Sequence, residues 1–410
     1  MKILIVSQYY TPEPVPIPAA LANGLARRGH QVRVLTAFPS YPDGKIATGY
    51  RQKLMHTEKD GDVLVRRVPV VISHSRNAIA RLLNYASFSA STLAATTFAR
   101  NADVVYVYAT QMTAAIAPSW WSRLFKLPFV LHVQDLWPES ITGSSMVRKA
   151  TVSRAIDALL TPWLKGMYRR SAATVAIGPG MTELLIARGL NPAKAHTVFN
   201  WAPGSIDRPS ESRGRNGGLK LMYAGNIGEM QDLETVVRAM ALLTDLDGLQ
   251  LDVVGSGVAE PAVRALSEKL GLSNVRFHGR VLREQMAPLY DSSDFQLVTL
   301  ADLPIFRVTV PSKLQSSLAS GTPVITTVSG DVAELVNGHS MGLTSPAGDA
   351  RSLANTIRDA YLMSDAERLA MGERAAKFYE ETMTMDIGID RIERILADAA
   401  GTKIRKQSDD

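Results

Sequence analysis

The sequence contains no cysteine in its 410 residues. This absence excludes disulfide bonds, zinc sites built on cysteine and catalysis by a thiol. Long apolar runs are absent as well, and none approaches the roughly 20 residues that a membrane-spanning helix needs. The apolar run nearest the N-terminus, Ile3–Val6, is too short for the core of a signal peptide and fits a first buried strand. These absences favour a cytoplasmic protein.

Acidic residues are scarce in the first half of the chain. Residues 1–205 carry 23 Lys and Arg against 10 Asp and Glu, whereas the remainder carries 22 against 29. A basic half joined to an acidic half indicates that only the first half meets something anionic, such as a lipid surface, a phosphorylated acceptor or nucleic acid. The alternative is that the cations lie on ordinary solvated helix faces.

The N-terminal half alternates short apolar segments with stretches of helical spacing. The predicted strands are Ile3–Val6, Gln31–Thr36, Val63–Val68, Val104–Tyr108, Phe129–Val133 and Ala173–Ile177. Helices are predicted near Pro18–Arg28, Arg76–Arg100, Met112–Leu124 and Val152–Arg169. Alternation of this kind is typical of a doubly wound parallel α/β sheet with helices on both faces.

The chain is long for a single hydrophobic core, which predicts two domains. Residues 204–218 are polar, rich in Pro, Gly and Ser, and lack apolar periodicity, so they are predicted to form a linker. We therefore predict an N-terminal α/β domain over residues 1–203 and a second α/β domain over residues 219–380. A helix over residues 381–400 is expected to pack back on the first domain, and residues 401–410 to form a flexible tail.

Four segments of the C-terminal half place a strand-like apolar run next to a helix. The run stops at Gly, Ser or Asn just before helical spacing starts, and in the last segment the helix is entered through Pro-Ser-Lys. They are LMYAGNIGEMQDLE (221–234), LDVVGSG (251–257), VRFHGRVLRE (275–284) and VPSKLQSSLASGTPVI (310–325). In a parallel sheet such turns lie together at the carboxyl edge, where helix N-termini and backbone amides bind phosphate groups. The series predicts a nucleotide-binding domain.

These segments resemble, in order and spacing, the C-terminal domain of glycosyltransferase family 4. The N-terminal segments SQYYTPEP, LARRGHQVRVLTAFPSYP, HVQDLWPES and FNWAP extend the resemblance over nearly the whole chain. The branch that the chain most resembles builds bacterial surface polysaccharides and includes fucosyl- and N-acetylfucosaminyl-transferases of colanic acid and O-antigen. The resemblance implies a GT-B fold of two Rossmann-like domains with a cleft between them. It also implies retaining transfer of a sugar from a nucleotide-diphosphate donor, UDP rather than GDP, to a lipid-linked or oligosaccharide acceptor.

The resemblance also implies a donor site built mainly from these four segments. Its expected residues are Gly225, Asn226, Gln231, Gly255, Ser256, Arg280, Val281, Arg307, Lys313 and Ser316. The glycines let backbone amides approach the diphosphate. Many family members have Arg and Lys where Asn226 and Gln231 stand here, so Arg307 and Lys313 are expected to supply the positive charge.

The chain departs from the family at two acidic positions. The usual signature has two glutamates eight positions apart, the second of which binds the ribose hydroxyls, and here these positions are Val308 and Ser316. A neutral hydroxyl in place of a carboxylate weakens ribose binding by an amount on the order of 1–2 kcal/mol. The departure keeps open a non-catalytic subunit that binds a sugar nucleotide. A sugar-nucleotide epimerase on the same fold is a further alternative, but it needs paired acid and base carboxylates, which the sequence does not single out.

The resemblance places the catalytic residues in the N-terminal domain. His132, in the segment FVLHV, matches a position that hydrogen-bonds the transferred sugar, and Asp135 is the expected acceptor-side carboxylate. Glu13 lies in the loop after the first strand and is expected to face the cleft. We expect no cofactor and no metal requirement, because the Asp-x-Asp motifs at 60–62 and 245–247 are typical of turns and loops.

Three segments of the basic half interleave cations with Leu, Trp and Phe, namely Arg76–Arg100, Trp120–Lys126 and Arg148–Arg170. This pattern is typical of a protein face that rests on an anionic membrane. The alternative is a basic surface over buried aromatic residues. We expect a peripheral protein at the inner face of the cell membrane, with no nucleic-acid partner.

Overall fold

The computed structural model describes residues 1–72, 78–142, 150–203, 217–282 and 285–401. The chain divides into two compact units, the first formed by Met1–Phe199 together with Met385–Asp410 and the second by Asn200–Thr384. Most of the predicted linker, residues 204–216, and most of the predicted tail, residues 402–410, lie outside the described residues.

Both units alternate strands with helices. The strands are β1 Lys2–Ser7, β2 Gln31–Ala37, β3 His56–Asp60, β4 Val63–Val68, β5 Val104–Ala109, β6 Phe129–Val133, β7 Ala173–Ala176, β8 Ala195–Thr197, β9 Leu219–Ala224, β10 Leu249–Val254, β11 Val275–Gly279, β12 Phe295–Val298, β13 Val324–Thr326 and β14 Gly342–Thr344. The helices are α1 Pro16–Arg27, α2 Ala78–Ala94, α3 Thr96–Ala99, α4 Ile116–Leu124, α5 Glu139–Thr142, α6 Ala150–Arg170, α7 Pro179–Ala187, α8 Leu233–Ala241, α9 Glu260–Lys269, α10 Met286–Ser292, α11 Ser312–Ala319, α12 Asp331–Gly338, α13 Ala350–Leu362, α14 Asp365–Thr382 and α15 Met385–Ala400.

The first unit contains an eight-stranded sheet in the order β3-β4-β2-β1-β5-β6-β7-β8. All neighbouring strands run parallel except β3 and β4. The central strands β5 and β6 are buried along their whole length, as the continuous apolar runs VVYVYA and FVLHV indicate. Parallel strands need cover on both faces, and this explains why these runs do not alternate with polar residues.

Strand β3 is an edge strand that the sequence pattern did not predict. Its segment HTEKD contains no aliphatic residue and alternates between exposed and half-buried positions, so it has no apolar periodicity to detect. β3 pairs antiparallel with β4, and Asp60 lies opposite Val63. Gly61 joins the two strands with φ +57°, which confirms the interpretation of residues 60–62 as a turn.

Helix α15 belongs to the first unit although it ends the chain. Its Glu393 is only 8% exposed and accepts a hydrogen bond of 2.7 Å from Arg28. The other carboxylate oxygen of Glu393 lies 2.6 Å from His30 Nε2. The helices α1 and α15 also pack tightly, because a Cβ atom placed on Gly24 would lie 2.3 Å from the Ile389 side chain.

The second unit contains a six-stranded parallel sheet in the order β11-β10-β9-β12-β13-β14. Helix α8 shows how its sequence builds the core, since Leu233, Val236, Val237 and Met240 follow helical spacing and are all buried. After β9, the chain adds β10 and β11 on one side of that strand, and β12 then pairs with β9 on its other side. The strand order therefore reverses between β9 and β12, which is where ligands bind in open parallel sheets.

Candidate functional site

A cavity of about 600 Å³ opens in the second unit at the carboxyl ends of the strands. Its walls come from the turns after β9, β10 and β11, from α10 and from the start of α11. The lining residues are Ala224, Gly225, Asn226, Gln231, Val254, Gly255, Arg280, Val281, Met286, Tyr290, Leu300, Pro311, Ser312, Lys313 and Ser316.

Two glycine turns form one wall of the cavity. Gly225 has φ +140° and Gly255 has φ +129°, both in the region that side chains disfavour. A Cβ atom on Gly255 would lie 1.9 Å from the carbonyl oxygen of Gly225, and one on Gly225 would lie 2.6 Å from Cε of Lys313. The glycines therefore serve close packing of two turns and of the lysine stem, as well as backbone conformation.

Lys313 is a half-buried cation at this wall. Its ammonium group donates a hydrogen bond to the Tyr223 hydroxyl and lies 4.1 Å from the centre of the Tyr223 ring. The Tyr223 hydroxyl in turn donates a 2.5 Å hydrogen bond to the carbonyl of Asn226. Lys313 makes no ion pair within the described part of the chain. Burial lowers the pKa of Lys313 to about 7, so the site favours an anion that restores its charge.

Another part of the cavity lining is apolar. Tyr290 belongs to a small buried cluster with Met222 and Val254, and Val281 and Met286 pack against this cluster. Burial raises the pKa of Tyr290, while the nearby Ser316 side chain opposes this rise. The Tyr290 hydroxyl therefore stays protonated at neutral pH. The cavity lining therefore combines the cations Lys313 and Arg280 with an apolar cluster and the hydroxyl groups of Tyr290 and Ser316.

Eight of the ten predicted donor residues line this cavity. Among them, the Gln231 side chain accepts hydrogen bonds from the Gly228 amide at 3.0 Å and from Asn226 at 3.3 Å, which fixes the first glycine turn. Ser256 is not in the lining but accepts a 2.6 Å hydrogen bond from Nε of Arg280, and so orients that cation.

Arg307 is the other predicted donor residue outside the lining. It is exposed in the 3₁₀ turn Pro304–Val308 and lies 3.5 Å from the carboxylate of Asp302. The structure thus brings Lys313 to the cavity and leaves Arg307 on the surface. A contact between Arg307 and a phosphate stays a prediction.

Tyr223 and Tyr290 are residues of the site that the sequence did not reveal. Each lies in a segment that its pattern presents as ordinary core, the strand LKLMYA and the helix MAPLYDS. Their roles depend on contacts with Lys313 and Ser316, about 90 and 26 residues away along the chain. Only the predicted glycine turn two residues after Tyr223 hinted that this strand end belongs to a site.

His132 lies inside the sheet of the first unit, in β6. It is fully buried, and its Nδ1 atom is hydrogen-bonded to the hydroxyl of Tyr106. Its Nε2 atom has no hydrogen-bond partner among the described residues. Burial lowers the pKa of His132 to about 3, so the ring is neutral at physiological pH. Its contact with a transferred sugar stays a prediction.

The two predicted carboxylates of the first unit differ in environment. Part of Asp135 is exposed, yet desolvation by the protein packed around its carboxyl group raises its pKa to about 6, an effect that the charge of Arg81 opposes. Glu13 is 8% exposed, and one of its oxygens accepts hydrogen bonds of 2.9 Å from the amides of Ser40 and Tyr41. Its other oxygen accepts one from the Tyr10 amide at 3.1 Å. Glu13 therefore links two loops, and a catalytic role for it stays a prediction.

The two Asp-x-Asp motifs have structural partners. Asp60 accepts a 2.9 Å hydrogen bond from Tyr10, and Asp245 forms a 2.7 Å ion pair with Arg358. Within the described ranges, no group of three or more His, Asp or Glu side chains is arranged to hold a metal ion. The helices in these ranges also include none that is long and apolar enough to cross a membrane.

Part of the predicted basic and aromatic face is visible on helices α2 and α4, which pack together. Trp120, Leu124 and Phe125 are 51%, 64% and 39% exposed, and the Arg100 guanidinium lies 5.6 Å from the Phe125 ring centre. Trp121 is 1% exposed, so its place on this face is corrected to the core. Residues 73–77 and 143–149 of the predicted segments lie outside the described residues.

Both halves of the chain match models of known protein families. Residues 16–201 match the model of a glycosyl transferase 4-like domain, and residues 218–362 match that of glycosyl transferases group 1. A putative colanic acid biosynthesis glycosyl transferase, WcaI of Escherichia coli (strain K12), is 26% identical over 80% of this chain and 83% of its own length. A GDP-mannose-dependent alpha-mannosyltransferase of Mycobacterium tuberculosis is 25% identical over 52% of this chain and 53% of its own.

Two solved structures share the fold over nearly the whole chain. Anabaena HepE, in complex with UDP-glucose, superposes with a TM-score of 0.68 at 15% identity and covers 97% of this chain and 100% of its own. Sucrose-phosphate synthase from Thermosynechococcus elongatus superposes with a TM-score of 0.71 at 15% identity, covering 97% and 98%. Likeness at this level of identity concerns the fold.

Proposed function

Because the chain belongs to glycosyltransferase family 4, with its GT-B fold of two Rossmann-like domains, it is a glycosyltransferase, and we propose that it transfers a sugar from a nucleoside-diphosphate donor to a lipid-linked or oligosaccharide acceptor with retention of anomeric configuration. The similarity to WcaI supports a role in bacterial surface polysaccharide biosynthesis. UDP is the proposed carrier in preference to GDP, and HepE with bound UDP-glucose supports this choice.

The half-buried ammonium group of Lys313 carries this proposal. It lies beside two glycine turns, in a cavity at the point where the strand order reverses, and has no acidic partner among the described residues. A donor diphosphate supplies that partner. A hydrogen bond between two charged groups contributes roughly 1.5–3 kcal/mol, more than a neutral contact does.

The same arrangement of Lys313 and the glycine turns is suited to stabilise the leaving group during sugar transfer. As the bond between the sugar and the diphosphate breaks, negative charge grows on the leaving phosphate oxygens. Lys313 and the backbone amides of the glycine turns are fixed in place before this charge appears, which is how preorganised groups lower a barrier. We propose front-face attack by the acceptor hydroxyl and no metal requirement. Lys313 and the backbone amides would stabilise the leaving diphosphate, as a metal ion does in metal-dependent transferases.

The acceptor side of the proposal rests on the first unit. Trp120, Leu124 and Phe125 are exposed beside the cations Arg100 and Lys126, a combination that suits the headgroup region of an anionic membrane. Peripheral attachment there brings the enzyme to an acceptor that is anchored in lipid. We propose that the protein works at the cytoplasmic face of the cell membrane.

A transfer assay tests the proposed function. A thermal-shift screen of the purified chain against UDP- and GDP-sugars selects donors, and each donor is then incubated with lipid-linked saccharides extracted from bacterial membranes. We expect a glycosylated product whose new linkage has the donor's anomeric configuration by NMR. Inverted configuration would contradict the retaining mechanism. Epimerised donor without transfer, or binding without turnover, would contradict the proposed reaction.

A further inference from the structure

Strand β4 places two consecutive arginines on opposite faces of the sheet. Arg67 is buried on one face, where its guanidinium forms an ion pair with Glu58. Arg66 is half-buried on the other face, because successive side chains of a strand alternate. Thr57 lies directly beside Arg66 in the antiparallel pair of β3 and β4. Asp60 shares the face of Glu58, so β3 contributes no acidic residue to the face of Arg66.

A second arginine, Arg33 of β2, lies on the same face as Arg66. In the register of β2 with β4, Arg33 pairs with Leu64, which lies two residues before Arg66. The guanidinium carbons of Arg33 and Arg66 lie 5.2 Å and 4.3 Å from the centre of the Phe98 ring. Phe98 is only 5% exposed, so the two cations share one buried ring of α3.

The two guanidinium groups are not neutralised by the protein. Within the ranges that the structure describes, neither Arg33 nor Arg66 forms an ion pair with an acidic side chain. Burial lowers the pKa of Arg33, and the charge of Arg66 lowers it further, although an arginine remains charged at neutral pH. Two like charges that are held close together repel each other, and a bound anion offsets this repulsion.

Both arginines are held in place and still have N–H groups to donate. Nη1 of Arg33 donates a 2.8 Å hydrogen bond to the carbonyl oxygen of Phe98. Nε of Arg66 donates a 3.1 Å hydrogen bond to the Thr57 hydroxyl. A guanidinium carries five N–H donors, so most of them stay available for a ligand. A terminal phosphate group suits such a pair, because its three acceptor oxygens can be shared by two arginines, whereas a carboxylate has only two.

The pair adjoins the basic and aromatic face of the first unit. Phe98 belongs to α3, and the indole of Trp121 in α4 donates a 2.9 Å hydrogen bond to the Thr96 hydroxyl at the start of α3. Arg100, which follows α3, lies 5.6 Å from the ring centre of the exposed Phe125. A position beside exposed apolar side chains favours a phosphate group that is carried by a lipid.

We propose that Arg33 and Arg66 together bind the terminal phosphate group of an anionic phospholipid. The inference rests on the proposed attachment to the membrane and adds a specific lipid contact to it. General attraction between a basic surface and an anionic membrane depends on charge alone. A site of two arginines depends also on the geometry of the phosphate group, which lysine cannot match although it carries the same charge.

Co-sedimentation of the purified chain with two kinds of vesicle tests the inference. Both consist mainly of phosphatidylcholine and are matched in surface charge, but one contains phosphatidic acid and the other contains cholesteryl hemisuccinate, a carboxylate. We expect binding to the vesicles with phosphatidic acid to be tighter by about threefold or more. Equal binding to both would overturn the inference and leave the membrane attachment standing. Binding to neither would overturn both, while sugar transfer is assayed separately.

Charge-conserving substitutions separate the site from general attraction. Arg33→Lys combined with Arg66→Lys keeps the net charge and is expected to bring the two affinities within about twofold of each other. The control is Arg27→Lys, at an exposed arginine of α1, which should keep the preference for phosphatidic acid. Thermal unfolding checks that each variant folds, and Arg66→Lys alone replaces the double variant if that one does not. A folded variant that retains the full preference would contradict the inference.

Competition with sn-glycerol 3-phosphate, the soluble headgroup of phosphatidic acid, tests the source of the phosphate group. We expect it to release the protein from the vesicles only at roughly millimolar concentrations, because the lipid-bound state also has the apolar contacts of Trp120 and Phe125. Release at roughly micromolar concentrations would show that the two arginines serve a soluble phosphate compound, which contradicts the assignment to a lipid.

Discussion

The ammonium group of Lys313 lies 4.1 Å from the centre of the Tyr223 ring and donates a hydrogen bond to the hydroxyl of the same residue. Tyr223 therefore contacts the cation through one neutral oxygen and does not neutralise it. Because Tyr223 also donates to the Asn226 carbonyl, the cation and the first glycine turn are held by one side chain. The arrangement keeps Lys313 available for a phosphate group.

Donor binding is expected to weaken as pH rises above about 7. Burial lowers the pKa of Lys313 to about 7 in the free site, and a bound diphosphate raises it again because it favours the charged form. Below pH 7 the lysine is already charged and affinity is level. Above pH 7, binding takes up about one proton, and affinity falls by up to about tenfold per pH unit until the pKa of the complex is passed.

Titration of UDP-glucose in two buffers of different ionisation enthalpy at pH 8 measures this proton uptake directly, since the diphosphate of UDP-glucose is fully ionised there. The matched variant is Lys313→Arg, whose guanidinium stays charged throughout this range, so its affinity should not change with pH. Equal pH dependence in both proteins would assign the titration to another group.

Gly255→Ala is expected to disrupt the cavity wall that the two glycine turns form. The new Cβ would lie 1.9 Å from the carbonyl oxygen of Gly225, and φ at this position is +129°. We expect a loss of more than about 3 kcal/mol in the stability of the second unit, or loss of donor binding if the turns move apart. The control is Gly271→Ala, which has φ +68° but no atom within 4 Å, and should cost about 1–2 kcal/mol.

Thermal unfolding followed by circular dichroism, with donor titration of the folded variants, separates these effects. Similar behaviour of the two alanine variants would mean that backbone conformation alone, and not the contact between the two turns, requires glycine at position 255.

Glu393→Ala is expected to loosen the C-terminal helix from the first unit. It removes a buried carboxylate that lies 2.7 Å from Arg28 and 2.6 Å from His30. Each of these two basic side chains then loses one hydrogen-bond partner. We expect a loss of about 1.5–3 kcal/mol in the unfolding transition of the first unit. The control is Glu183→Ala, at an exposed glutamate of α7 in the same unit, which should change stability by less than about 1 kcal/mol.

Urea unfolding monitored by tryptophan fluorescence reports mainly on the first unit, where the tryptophans of the described residues lie, apart from Trp201. No difference between the two glutamate variants would mean that α15 adds nothing to the stability of that unit.

Much of the fold was predictable because its strands are buried on both faces. The predicted strand Val63–Val68 is observed without change, and Phe129–Val133 likewise. The predicted helix Arg76–Arg100 is interrupted near Ala95, where α2 ends and α3 begins, and no Gly or Pro marks this break in the sequence. Helix α7 was not predicted, since its first residues are Pro179 and Gly180, which read as a turn.

The site was predictable in its turns and not in its contacts. Glycines such as Gly225 and the cation Lys313 lie in local sequence patterns that predict phosphate binding. Tyr223, which accepts a hydrogen bond from Lys313, and Tyr290, which lines the same cavity, come to the site through tertiary packing of distant segments, and apolar periodicity presents them only as core. The exposure of Arg307 was likewise decided by tertiary structure.

Binding to anionic vesicles is expected at low salt and should fall steeply as salt rises, because the cations of the first unit act over roughly 8–10 Å. Replacing Trp120 and Phe125 by Ser should weaken the binding that persists at high salt, since these side chains are 51% and 39% exposed. Trp121 is buried and is left unchanged.

Co-sedimentation with vesicles of graded charge measures both effects. Leu242→Ser, an equally exposed apolar residue of the second unit, is the control and should not alter sedimentation. Equal binding to neutral and anionic vesicles would mean that the basic half serves another purpose.

The affinity of Lys313→Met for UDP and for uridine tests the central claim most directly. Methionine keeps the length and apolar stem of lysine and removes only the charge. The account predicts that UDP affinity falls by about 10- to 100-fold, which corresponds to roughly 1.5–3 kcal/mol, while uridine affinity stays within about twofold. Lys269→Met, at an exposed lysine of α9 that does not line the cavity, should change neither. Equal losses for UDP and uridine, or no loss for either, would contradict the assignment of Lys313 to the donor diphosphate.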